Sequence, residues 1–264
     1  MATPSVRDHR INTPLGEAHA RQWLTVDAAG KAPVLLLHDS LGCTALWRQL
    51  PLLLAQASGR SVISYDRPGF GQSAPRTAPP SLEFVAEEAE QVLPALLAHF
   101  ALERFIAMGH SVGGGMAVHC AARYPANCEG LITLAAQAFV EPRTREGIAE
   151  AKRQFDDPAH FARLAHYHGD RARWVLDAWT ASWLSPGFDD WSLDATLPAV
   201  RCPALVIHGK EDEYGSTAQA QRIASLLGGP SRLWLLDGTG HVPHREQEAL
   251  VLDGIVRFLA ALPA

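Results

Sequence analysis

A chain of 264 residues, 47% hydrophobic and 19% charged, is ordinary for a globular protein and long enough to bury a large core. Its formal net charge of −5, with no Lys/Arg-rich tract, argues against a nucleic-acid partner, because nothing gathers the positive charge that phosphates require. No window approaches the roughly 18 consecutive apolar residues of a membrane span, so a membrane is not expected as a partner either.

The opening run Met1 to Arg10 lacks the apolar centre of a secretory signal. Cys43, Cys120, Cys128 and Cys202 are scattered without C-x-x-C spacing, which suits reduced thiols and a cytoplasmic location. Residues 10–27 read as an antiparallel hairpin turning near Pro14-Leu15-Gly16. Val34 to Leu37 and Ser61 to Tyr65 are short runs, apolar on both faces, as in a parallel sheet covered by helices. Arg104 to Met108 and Gly130 to Leu134 repeat the pattern, as do Ala204 to Ile207 and Arg232 to Leu236. Helical candidates fall near 44–57, 81–101, 112–124, 216–227 and 246–261. This alternation predicts a mostly parallel, doubly wound α/β sheet with right-handed crossovers.

From about Gln137 to Pro198 the rhythm breaks. No convincing core strand appears, and the segment holds Trp174, Trp179, Trp183 and Trp191, with His160, His166 and His168. It reads as a helical cap (137–198) inserted after the sixth strand of a core formed by 1–136 and 199–264.

Between the third core strand and its helix lies Met108-Gly109-His110-Ser111-Val112-Gly113-Gly114. A serine on a tight strand-to-helix turn needs neighbours without side chains, because the chain nearly touches itself there. The turn lifts the hydroxyl above the sheet at a helix N-terminus, which favours developing negative charge. A serine hydroxyl is a weak nucleophile and needs a base, and the base needs an orienting acid. Those partners belong on loops at the carboxyl ends of later strands, acid before histidine. His241, after Gly240 at the end of the last strand, is the expected base. Asp212 is the expected acid, with Glu211, Glu213 and Asp237 as rivals. The oxyanion donors are expected to be the backbone N–H groups of Val112 and of Ser40, the latter in the loop His38-Asp39-Ser40-Leu41-Gly42.

Those two loops and the serine turn, with Asp66-Arg67-Pro68-Gly69-Phe70-Gly71-Gln72-Ser73, Gly209-Lys210-Glu211-Asp212, and Gly240-His241 with Glu246, resemble the α/β-hydrolase superfamily. The likeness is to its lidded branch of small serine esterases, lactonases, perhydrolases and carbon–carbon bond hydrolases, and it spans nearly the whole chain outside the cap. The resemblance implies an α/β-hydrolase fold and a Ser111–Asp212–His241 triad, with oxyanion donors at Ser40 and Val112. It gives the stretch from Asp66 to Ser73 a structural role. Two departures stand out. Asp39 occupies the place of a usual glycine and is expected to point outward and cap a turn. Asp212 is followed by Glu213-Tyr214-Gly215-Ser216 in place of Val-Pro. Serine at position 111, where related dehalogenases and epoxide hydrolases carry aspartate, points to attack on a carbonyl carbon.

Phe139, Trp179 and Trp183 are candidate walls of a substrate pocket. Arg143, or Arg145, is a candidate carboxylate binder. The cap histidines lack an acid cluster to complete a metal site, and Gly113-Gly114-Gly115 lacks the Lys-Ser/Thr of a phosphate loop, so neither metal nor cofactor is expected. The expected activity is cofactor-free hydrolysis of a small carboxylic ester, thioester or lactone through an acyl-enzyme on Ser111. The alternatives are carbon–carbon cleavage of ring-fission diketones by the same triad, and a non-catalytic ligand-binding receptor. The expected partner is a small-molecule substrate; a homodimer is left open.

Overall fold

The computed structural model describes residues 3–262. Met1 and Ala2, at the head of the run expected to lack a secretory signal, and Pro263 and Ala264, at the end of the expected core segment, lie outside the described residues. The strands are β1 (Ser5–Thr13), β2 (Gly16–Leu24), β3 (Val34–Leu37), β4 (Val62–Tyr65), β5 (Phe105–His110), β6 (Cys128–Leu134), β7 (Ala204–Gly209) and β8 (Ser231–Leu236). They form one eight-stranded sheet in the order β1-β2-β4-β3-β5-β6-β7-β8. β1 and β2 make the expected antiparallel hairpin on one edge, and β2 pairs antiparallel with β4. β4 and all later neighbours run parallel.

Every residue of β3, β4, β5 and β7 is buried, which two-sided helical cover explains. Alternate side chains separate onto the two faces. Leu35 and Leu37 pack with Val85, Leu93, Met116 and Ile223 on one side, under α2 (Phe84–Glu87), α3 (Leu93–His99), α4 (Val112–Arg123) and α8 (Thr217–Leu226). Val34 and Leu36 pack with Leu54, Val251 and Ile255 on the other, under α1 (Leu50–Ser58) and α10 (Glu248–Ala260). α10 buries Val251, Ile255 and Leu259 at helical spacing, a single apolar stripe.

The expected helix over 81–101 is interrupted. A π-helical turn occupies Glu88–Val92 between α2 and α3. Pro94 offers no N–H to the carbonyl one turn back, and a widened turn accommodates the missing bond.

Between β6 and β7 the chain makes α5 (Pro142–Gln154), α6 (Pro158–His168) and α7 (Ala172–Trp183). α5 and α6 each begin on a proline, whose fixed φ suits the first turn, and Asp157 caps α6 by accepting from the Ala159 amide. Phe70, from the loop after β4, packs with Leu164, Val175 and Leu176 and ties this layer to the sheet. His168 strengthens the tie: its Nδ1 accepts from the Gly71 amide and its Nε2 donates to the Leu41 carbonyl, both at 2.9 Å. A short helix, α9 (Pro243–Glu246), follows β8. Among the described residues no helix is long and apolar enough to cross a membrane.

Chain order reverses between β3 and β5: β4 lies on one side of β3, and β5 on the other. A crevice opens outside the carboxyl ends of strands at such a reversal. The loops carrying Ser40 and Ser111 both leave the sheet there.

Candidate active site

Ser111 joins β5 to α4 at φ 55° and ψ −126°, a conformation that non-glycine residues rarely adopt. Its flanking glycines are needed for contact reasons. A Cβ on Gly109 would fall 1.9 Å from the Gly113 carbonyl oxygen, and one on Gly113 would fall 2.1 Å from the Leu37 carbonyl oxygen. Ser111 is held by its own backbone: its N–H donates to Leu134 O, and its carbonyl accepts from Gly114 N, each at 2.9 Å.

The Ser111 Oγ lies 3.0 Å from His241 Nε2, and His241 Nδ1 lies 2.8 Å from Asp212 Oδ2. Nδ1–H donates to the carboxylate, which leaves Nε2 with a lone pair facing the hydroxyl. Asp212 is fully buried and also accepts from the amides of Tyr214 and Gly215, at 2.7 and 3.1 Å. Burial opposes its charge, but the His241 hydrogen bond and the nearby amides outweigh that and hold the carboxyl below the usual carboxylate range. Burial likewise opposes protonation of His241, yet the Asp212 carboxylate prevails and the imidazole pKa is raised. Two of the rival acids are occupied elsewhere. Glu211 accepts from the Thr239 amide, and Asp237 pairs with Lys210 at the surface. Glu213 neighbours Gly240, with no hydrogen bond to His241. Glu246 accepts from the Gly240 and Val242 amides and so clamps the loop that carries His241.

Val112 supplies the first amide of α4, and Ser40 borders the cavity above the serine. Neither amide donates to another group among the described residues. The cavity, of about 220 Å³, is lined by Leu41, Leu46, Ile148, Trp179, Trp183 and Tyr214 beside the polar groups. Trp179 and Trp183 thus stand where the sequence placed them.

Phe139, Arg143 and Arg145 do not. Phe139 makes a β-bridge with Ser192 and lies beneath the Arg222 guanidinium, away from the cavity. Arg143 is exposed and donates to the backbone carbonyl of Asp212 at 3.1 Å. Arg145 is spent on the carbonyls of Trp183, Leu184 and Ser185 and on Asp189, closing the end of α7.

Asp39 caps a turn as expected, accepting from the Leu41 amide at 2.9 Å, but it points inward. Its other oxygen lies 3.3 Å from His110 Nδ1, and His110 Nε2 lies 2.7 Å from the carbonyl of His241. A carbonyl and a carboxylate only accept, so each ring nitrogen of His110 faces an acceptor. Burial raises the Asp39 pKa, but His110 and the Leu41 amide reverse this and hold it well below the ordinary range. The Asp39 carboxylate, in the loop that carries Ser40, is thus held by the histidine that precedes Ser111. Sequence reasoning passed over His110, Gln137 and Arg245. Gln137 places its amide 3.4 Å from the Ser111 Oγ. Arg245 lies four residues after His241 on the short helix α9, and no motif marks it.

A family model described as alpha/beta hydrolase fold matches residues 32–247. A 2-hydroxymuconate semialdehyde hydrolase of Pseudomonas sp. (strain CF600) is 26% identical, over 90% of this chain and 90% of that protein. A proline iminopeptidase of Lactobacillus helveticus is 25% identical, over 82% of this chain and 86% of that protein. Among solved structures, a 2-hydroxy-6-oxo-6-phenylhexa-2,4-dienoate hydrolase from Rhodococcus sp. strain RHA1 superposes with a TM-score of 0.82. The two are 20% identical, and the match covers 98% of this chain and 100% of that one.

Proposed function

The chain belongs to the alpha/beta hydrolase fold family, and we propose that it is a serine hydrolase that cleaves a small carboxylic ester, thioester or lactone through an acyl-enzyme on Ser111. The observation that carries this reading is the unbroken line from Asp212 through His241 to the Ser111 Oγ, with contacts of 2.8 and 3.0 Å.

Ser111 Oγ attacks the carbonyl carbon while His241 Nε2 takes its proton, and the carbonyl π pair moves onto oxygen. The Ser40 and Val112 amides receive that oxyanion, an interaction stronger in the transition state than in the ground state. Asp212 stabilises the imidazolium formed. The oxyanion pair then re-forms the C=O bond, and the bond to the leaving oxygen or sulfur breaks. His241 returns its proton to that atom. In the second half, His241 takes a proton from water as the water oxygen attacks the acyl carbon. Collapse breaks the bond to Oγ, which recovers a proton from His241, and the acid departs. Helices α5 to α7 cap the site, and Trp179 and Trp183 bound the acyl and leaving groups.

A second reading, carbon–carbon bond hydrolysis by the same triad, is supported by the likeness to the 2-hydroxymuconate semialdehyde hydrolase. Arg143 and Arg145, the clamp residues that the sequence suggested for it, do not border the cavity. A panel of short esters, thioesters, lactones and ring-fission diketones, run with fluorophosphonate labelling, separates the readings. Labelling at Ser111 with fastest turnover of an ester, thioester or lactone is expected. Fastest turnover of a diketone would replace the first reading with the second, and absence of both labelling and turnover would contradict both.

A further inference from the structure

Arg245 stands on α9 and borders the cavity that holds Ser111. One of its terminal nitrogens, Nη2, donates to the carbonyl of Leu46. Its Nε is buried and has no partner among the described residues. A half-buried guanidinium with an unspent donor is held at a cost in solvation, which an anion would offset.

Asp39 acts on the guanidinium through its charge, but neither it nor Asp212 pairs with Arg245 directly. Asp39 faces His110 and the Leu41 amide, and Asp212 faces His241 and two amides. Each acid is matched by a histidine, and Arg245 forms no ion pair with any carboxylate among the described residues. Arg48 is a further cation close enough to act on it. Leu41, Leu46, Ile148, Trp179 and Trp183 make much of the wall apolar, beside Ser40, Gln137 and Thr144. Such a wall strengthens a charge-assisted pair formed inside it.

We propose that Arg245 anchors a carboxylate of the substrate, so that the scissile ester, thioester or lactone belongs to a molecule carrying a second, free carboxylate. The proposal rests on the acyl-transfer reading of Ser111 and adds the substrate class. The carboxylate can sit on the acyl half or on the leaving half, and two substrate pairs distinguish these. Mono-p-nitrophenyl glutarate against p-nitrophenyl pentanoate places the charge on the acyl half. The butyrate ester of p-hydroxybenzoate against that of its methyl ester places it on the leaving half.

The wild-type protein is expected to favour the anionic member of one pair in kcat/KM by about tenfold or more, as a charge-assisted pair would give. That preference shrinks as salt rises. In Arg245→Gln the anionic-to-neutral ratio falls by about the same factor, and Arg245→Lys recovers part of it. Glutarate slows fluorophosphonate labelling of Ser111 in the wild type and much less in Arg245→Gln. Equal kcat/KM for charged and neutral esters in both pairs would overturn the role of Arg245 and leave the acyl-transfer reading standing. Absence of labelling at Ser111, with no turnover of any of the four esters, would overturn both.

Discussion

At the scale of single residues, the site contains two acid–histidine pairs of opposite duty. Asp212 raises the basicity of His241, which must be neutral to accept the serine proton. Asp39 and His110 hold each other in place, and His110 also steadies the backbone of His241 through its carbonyl. The acid limb of the kcat/KM profile is therefore expected above about 6.5, the ordinary histidine value. Asp212→Asn removes the partner that raises it, so the limb moves down and kcat falls by roughly 10⁴-fold. A pH–rate profile of both proteins on one activated ester checks this; a limb unmoved by the substitution would contradict it. Ser111, Asp212 and His241 were legible in the sequence because glycine spacing and strand ends restrict where such side chains can stand. The orientation of Asp39 was not, because its partner His110 comes from another strand end and only the fold brings the two together. The directions of Phe139, Arg143 and Arg145 depend likewise on packing between segments far apart in the chain.

At the scale of elements, the nucleophile depends on how closely α4 approaches β3. The Gly113 Cα faces the Leu37 and His38 carbonyl oxygens, and an added Cβ would stand 2.1 and 2.6 Å from them. Neither oxygen is on a movable side chain, so α4 would have to shift. Gly113→Ala is expected to cost about 3 kcal/mol or more of stability and to remove most activity, because Ser111 and the Val112 amide move with the helix. Denaturant unfolding monitored beside ester turnover checks both effects; wild-type values would contradict the packing account. Helix and strand order was readable from apolar periodicity. The π-helical turn at Glu88–Val92 was not, although Pro94 marks it, because a proline can equally end, kink or widen a helix.

At the scale of the whole molecule, buried carboxylates make stability depend on acid. Asp66 fastens β2, the Thr44 turn and the loop at Gln72 through His19 and two backbone amides. Burial works against its charge, but these hydrogen bonds lower its pKa to about 2. The unfolded value is about 3.9, so the folded state binds fewer protons than the unfolded chain between these limits. The stabilisation is complete above the unfolded value and is lost as pH falls from about 4 toward 2. Asp212 and Asp39 act in the same direction. Chemical denaturation from pH 7 down to pH 3 is expected to show falling stability, with a shallower slope in Asp66→Asn. An equal slope in the variant would contradict the linkage.

The most direct measurement of the central claim is to quench the reaction with a short activated ester within its first turnover and locate the acyl group by peptide mass spectrometry. The expected result is one acyl group on Ser111, absent from Ser111→Ala, whose turnover falls by roughly 10⁴-fold or more. An acyl group on a different residue, or sustained turnover by Ser111→Ala, would contradict the account.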